Sequence, residues 1–316
     1  MTERDYDPDL RTLIPLLPTV SDFSTTGDVQ KAREMGFAVQ IPTDPNPDVL
    51  VTDMTVPGQG NQPQVEVRVY RPQATPEEPR PAVFEIHGGG FLVGSKDMMD
   101  PWCQRVCSEL DVVVVSTDYR LAPEHPFPAG VEDCYHALCW TGAQAKSLGI
   151  NPERMAIAGQ SAGGGLAAAC ALMARDRKGP DLCFQLLEIP ELDDRLETDS
   201  MKQFTDTPLW NRPNAVWSWR HYLGPDHSGP VSSYAAPARE TNLQDLPPAY
   251  ISTMEFDPLR DEGILYALGL MRAGVRTELH AYPGTFHGSS LAPSAKSSVQ
   301  IARDALESLG RALGRR

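Results

Sequence analysis

The 316-residue chain is acidic, with 28 Lys and Arg against 42 Asp and Glu and a formal charge of −14. Such a field repels phosphate backbones and anionic headgroups within a Debye length, so nucleic acid and bare membrane surfaces are excluded as partners. The length admits one large α/β domain with an appended lid, or two ordinary domains.

The chain begins with acidic residues, and the stretch Leu13-Ile-Pro-Leu-Leu-Pro-Thr-Val20 is too short and too proline-broken for an export signal or a membrane span. A soluble, cytoplasmic protein without stable membrane insertion is expected. Six cysteines (103, 107, 134, 139, 170 and 183) lie scattered through helical and strand patterns, which reads as reduced structural thiols. Cys103 and Cys107 share one helical face, but no second ligand pair accompanies them, so no metal is expected.

After an irregular, proline-rich beginning, Val65-Glu-Val-Arg-Val-Tyr70 alternates apolar and charged residues, as a half-exposed antiparallel strand does. The runs Ala82–Ile86, Val112–Ser116, Met155–Ala158 and Gln185–Ile189 are short and apolar, and helical patterns at about 131–147 and 161–176 separate several of them. This alternation predicts a mostly parallel sheet covered on both faces by helices. Ala249–Met254 and Thr277–Tyr282 extend it around a helix at Asp261–Ala273, and a last helix is expected from about Ser294 to Leu313. Two regions break the rhythm. Residues 1 to about 50 precede the first predicted strand, and about 192–235 hold Met201, Phe204, Trp210, Trp217, Trp219 and Tyr222. That aromatic content is too high for a solvated linker. Both segments are therefore expected to meet over one edge of the sheet as a lid.

Acyl transfer needs an activated nucleophile and hydrogen-bond donors placed where negative charge develops. Gly159-Gln-Ser161-Ala-Gly163 follows a predicted strand and opens a helix of small residues, the setting of a nucleophile elbow. His87-Gly-Gly-Gly-Phe91 ends another strand, so the N–H groups of Gly88, Gly89 and Gly90, together with that of Ala162, are candidate oxyanion donors. Among the seven histidines, His287 lies in the loop after the last strand, where sites form in such sheets. His280 falls inside that strand, His136 inside a helix, and His221 and His227 in or near the lid, all read as structural. Asp257 follows the strand at 249–254, and Pro258 then halts it; Glu255, Asp261 and Glu262 are its rivals as the acid that orients the histidine. The order Ser161, Asp257, His287 is that of a hydrolase triad.

These motifs, with Tyr119-Arg-Leu-Ala-Pro-Glu124, Asp257-Pro-Leu-Arg-Asp261 and His287-Gly288, make residues 80 to 290 resemble the hormone-sensitive-lipase-like esterases, the bacterial family IV esterases of the α/β-hydrolase fold. The resemblance implies a serine esterase without cofactor or metal, acting on small-molecule short- to medium-chain carboxylic esters. It further implies an N-terminal cap segment (1–50), a hydrolase core (51–191 and 236–316) and a cap insertion (192–235). Gln160 departs from the Asp or Thr usual before the nucleophile in that family, and an amide makes no ionic contact there. Phe91, Leu92, Trp210 and Trp217 are candidates for the substrate pocket, and Arg120 with Glu124 for a structural ion pair or turn lock near the site. Homodimerisation is compatible with this reading. An amidase, a lactonase and a non-catalytic small-molecule-binding module are the alternatives on the same scaffold.

Overall fold

The computed structural model describes residues 4–17, 23–34 and 45–315, so the expected N-terminal cap segment lies partly outside the described residues. Eight strands form one sheet: β1 (Val49–Val56), β2 (Val65–Pro72), β3 (Arg80–Ile86), β4 (Val113–Asp118), β5 (Ile150–Gln160), β6 (Phe184–Glu188), β7 (Ala249–Phe256) and β8 (Thr277–Phe286). Their spatial order is β1-β2-β4-β3-β5-β6-β7-β8. β1 pairs antiparallel with β2, and β2 antiparallel with β4. Every other pair is parallel.

β1 is the strand absent from the sequence reading. Only Val49 and Val56 at its ends are buried, so the apolar alternation that marks β2 is missing. Its enrichment in Val and Thr, which favour extended backbone, was the available signal.

The strand alternation sorts the core into two layers. Phe84, Val115, Ile157, Leu187 and Ile251 face the helices Ala129–Ala143, Ala162–Arg177 and Arg260–Arg272, through Leu138, Leu166, Cys170, Ala267 and Leu270 among others. Val83, Val114, Ala158, Leu186 and Tyr250 face the helices Asp100–Leu110 and Lys296–Ala312, through Cys103, Cys107, Leu306 and Leu309. All six cysteines are free thiols. Among the described residues no helix is long and apolar enough to cross a membrane.

The two segments outside this alternation do pack together. His221 and the Phe23 carbonyl are 2.8 Å apart, Phe23 is tilted against Trp210 at 6.3 Å between ring centroids, and Arg4 pairs with Asp206. They do not lie over one edge of the sheet, as expected. Phe23, Val29, Met201, Trp210 and Ala215 share a buried cluster with Leu92, Val93, Ala122 and Leu259, which belong to the loops after β3, β4 and β7. Tyr6 packs on Phe256 and Phe286. The contacts thus run across the carboxyl ends of the strands, because the loops there expose the apolar residues that the aromatic segments cover.

Candidate active site

β5 ends at Gln160 and the helix Ala162–Arg177 starts two residues later, leaving Ser161 to make the whole turn at φ 58, ψ −122. That conformation costs a non-glycine residue ~1–3 kcal/mol and persists only if its surroundings hold it. They do. The Ser161 N–H donates to the Glu188 carbonyl at 2.9 Å, and the Ser161 carbonyl accepts from the N–H groups of Gly165 and Glu191, each at 3.0 Å. Gly163 permits the turn to close on β3: a Cβ there would stand 2.1 Å from the Ile86 carbonyl oxygen and 2.5 Å from that of His87.

The turn delivers the Ser161 hydroxyl 2.9 Å from His287 Nε2, and His287 Nδ1 lies 2.7 Å from Asp257 Oδ2. With Nδ1–H donating to the carboxylate, Nε2 is left as the acceptor for the serine proton. Asp257 is fully buried, and its other oxygen accepts the Leu259 N–H at 2.8 Å. Its rivals are engaged elsewhere. Glu255 accepts the Gly284 N–H, Asp261 accepts the Ser200 N–H and pairs with Arg260, and Glu262 accepts the N–H groups of Leu192 and Asp193. The other histidines also have separate surroundings: His280 pairs with Glu278, His136 lies 2.8 Å from the Pro57 carbonyl, and His87 stacks on Tyr119 at 4.3 Å.

The glycine loop after β3 lies against the elbow. Among the described residues the N–H groups of Gly88, Gly89, Gly90 and Ala162 donate to no acceptor, and Ala162 opens a sixteen-residue helix whose positive dipole end faces the same place. Gly90 has φ 57, and the Trp210 ring passes 2.4 Å from the point a Cβ would occupy. Trp210 is also 5.9 Å from the His287 ring, between centroids, which puts this candidate pocket residue beside the site. Phe91 and Leu92 are placed otherwise. Phe91 is buried in the main core and stacks on Tyr222 at 3.9 Å, while Leu92 is wholly buried in the cluster that holds Phe23, Met201 and Trp210. Neither offers surface to a ligand, because the loop turns both into packing immediately after the glycines. Trp217 is half-buried against His221 and Arg220, with no described contact to the triad.

The expected Arg120–Glu124 pair does not form. Arg120 makes a forked pair with buried Asp133, and Glu124 pairs with Arg33, whose guanidinium also donates to the Leu92 and Ala122 carbonyls. Asp133 wins Arg120 because it sits one helical turn into Ala129–Ala143, directly under the loop. Three further residues at the site make contacts that no motif announced. Gln160 donates to Ser290 Oγ at 3.2 Å, tying the elbow to the histidine loop. Ser218, on the helix Arg212–Leu223, donates to the Gly90 carbonyl at 2.8 Å. Glu191 is completely buried behind the elbow, and its trace in the sequence is that it is one of two acids, with Glu188, in the otherwise apolar run 186–192.

Residues 83–291 match a family model described as alpha/beta hydrolase fold. The chain is 39% identical over 288 residues to carboxylesterase NlhH of Mycobacterium tuberculosis, covering 90% of this chain and 88% of that protein. It is 32% identical over 278 residues to an arylesterase of Saccharolobus solfataricus, covering 88% of each. Among solved structures, a bacterial heroin esterase superposes with a TM-score of 0.93 at 48% identity, covering 98% of both chains. With β2 antiparallel to both β1 and β4, the remaining pairs parallel and a serine at the β5 turn, the chain belongs to the hormone-sensitive-lipase-like esterases of the α/β-hydrolase fold.

Proposed function

We propose that the chain hydrolyses short- to medium-chain carboxylic esters through an acyl-enzyme on Ser161. The observation that carries this reading is the continuous chain of contacts from the Ser161 hydroxyl through both nitrogens of His287 to Asp257, beside a row of free N–H groups. His287 takes the serine proton as Oγ attacks the ester carbonyl, and then returns it to the leaving alcohol. Water activated by the same nitrogen releases the acid. Asp257 holds the imidazole tautomer. The N–H groups of Ala162 and of two of Gly88, Gly89 and Gly90 receive the oxyanion, each donor contributing ~3 kcal/mol to the transition state.

The N-terminal segment and residues 192–235 act as a cap, with Trp210 as the wall beside His287. The unbonded cysteines fit a reducing, cytoplasmic setting. The test is Ser161→Ala, which should lower turnover by at least ~10³-fold with circular dichroism unchanged. Chromogenic esters of increasing acyl length, run beside an anilide and a lactone, assign the substrate class. A folded Ser161→Ala protein that keeps its esterase activity refutes the assignment.

A further inference from the structure

The mechanism leaves a buried acid unused. Glu191 is 0% exposed, and neither of its carboxyl oxygens has a hydrogen-bond partner among the described residues. Its own backbone is tightly held, since its N–H donates to the Ser161 carbonyl and its carbonyl oxygen lies 2.0 Å from where a Cβ of Gly165 would stand. The backbone of this residue therefore cannot shift without moving the elbow. The polar group that acts on it is Ser218, the cap residue whose hydroxyl donates to the Gly90 carbonyl.

That geometry decides which form of the carboxyl can be satisfied. A serine hydroxyl has one proton, and Ser218 gives it to Gly90, so only lone pairs remain to face Glu191. A carboxylate has to compete with the Gly90 carbonyl for that one proton, whereas a protonated carboxyl can donate to the Ser218 oxygen and leave it in place. The other groups around it add no compensation. Asp257 from the loop after β7, Glu262 from the helix Arg260–Arg272, Tyr119 from the loop after β4 and Tyr222 from the cap helix are all acids or phenols. In its own loop, Asp193 and Asp194 occupy Arg195 and Arg239. Burial, with the Asp257 charge adding to it, pushes the Glu191 carboxyl up to about 8, against a smaller opposing pull from Ser218.

We propose that Glu191 is a positioning residue for the oxyanion loop, acting in its protonated form through a relay in which the carboxyl donates to Ser218 and Ser218 donates to the Gly90 carbonyl. The relay joins the elbow, the cap and the glycine loop, so those elements hold the donor geometry only while the carboxyl keeps its proton. Loss of that proton at alkaline pH leaves a carboxylate that draws the Ser218 hydroxyl away from the Gly90 carbonyl and loosens Gly90. This rests on the triad and oxyanion assignments made above, and it adds a second titrating group to the pH dependence of catalysis.

The test compares pH profiles of kcat for wild type, Glu191→Gln, Glu191→Leu and Ser218→Ala on a short-chain chromogenic ester, corrected for spontaneous hydrolysis. Wild-type kcat should fall on the order of tenfold between pH 7 and pH 9.5. Glu191→Gln keeps an N–H donor at every pH and should remove that decline. Glu191→Leu and Ser218→Ala should lower kcat about five- to tenfold at pH 7, with little change in KM, and converge on wild type at pH 9.5, as expected for loss of a transition-state interaction. A wild-type kcat that stays flat to pH 9.5 overturns the proposal. So does a decline unchanged in Glu191→Gln, or one removed instead by Glu188→Gln, or wild-type kcat at pH 7 in Ser218→Ala. Ser161→Ala separates the two readings: residual activity there sinks the triad assignment, whereas an inactive Ser161→Ala beside an unaltered Glu191→Gln profile sinks only the relay.

Discussion

Gly163→Ala isolates the close approach on which the site geometry depends. The added Cβ would stand 2.1 Å and 2.5 Å from the Ile86 and His87 carbonyl oxygens, where ordinary contact begins at 3.4 Å. Both obstacles are backbone atoms, so no side-chain rotation relieves them. The start of the helix at Ala162 and the end of β3 must separate by ~1 Å, and a misplacement of that size between reacting groups costs on the order of 10²-fold in rate. That equals ~2.7 kcal/mol of transition-state stabilisation. Overpacking itself costs ~1–3 kcal/mol of stability, a fall of about 2–10 °C in Tm. Steady-state kinetics on a chromogenic ester should thus show kcat down ~100-fold with KM changed by less than about threefold. Gly229→Ala is the control, because nothing lies within 4 Å of its would-be Cβ. A Gly163→Ala enzyme with kcat within about threefold of wild type would refute the idea that elbow and glycine loop must touch this closely to catalyse.

Asp257→Asn should lower kcat by about 10⁴-fold through loss of the imidazole tautomer, while Asp261→Asn, whose carboxylate serves Ser200 and Arg260, should stay within about threefold; equal losses would return the acid to the open set. Gln160→Leu removes the bond to Ser290 and should lower kcat about three- to tenfold, the equivalent of a ~1 kcal/mol hydrogen bond. Ser290→Ala should do the same, and the double variant should be no worse than either single one; fully additive losses would show that the two residues act separately. Burial raises the Glu188 carboxyl from 4.5 to about 7. The folded chain keeps a proton between those values that the unfolded chain releases, so stability falls as pH rises through that window and levels off above it. Glu188→Gln should match wild type near pH 4 and exceed it by on the order of 3 kcal/mol above pH 7.5 in urea titrations. A constant gap at pH 4.5 and pH 8 would show that Glu188 does not titrate there.

The serine, histidine and aspartate that the structure brings together were legible in the sequence for a local reason. A serine at a strand-to-helix turn must be flanked by small residues, a base must follow the last strand, and an acid must leave the strand before it. Each of these requirements is met by residues adjacent in the chain. The parallel core was legible for the same reason, since strands buried on both faces are short unbroken apolar runs, as at Ala82–Ile86 and Gln185–Ile189. β1 was not, because an edge strand exposed along most of its length carries no such pattern.

What the tertiary structure alone decided are the pairings between residues far apart in the chain, where several partners of the same chemical type compete. Arg120 had Glu124 nearby in sequence and Asp133 nearby in space, and distance in space sets the Coulomb energy. Phe91 and Leu92 follow the glycines directly, yet the backbone turn at Gly90 sends them into the core and brings Trp210 to the site from 120 residues away. Ser218 reaching Gly90, and Glu191 enclosed beside it, depend on where the helix Arg212–Leu223 lands on the loops below. No spacing rule encodes that landing. It follows from burying the aromatic face of one segment on the apolar loops of another, a non-directional force whose outcome is set by the shape of the whole surface.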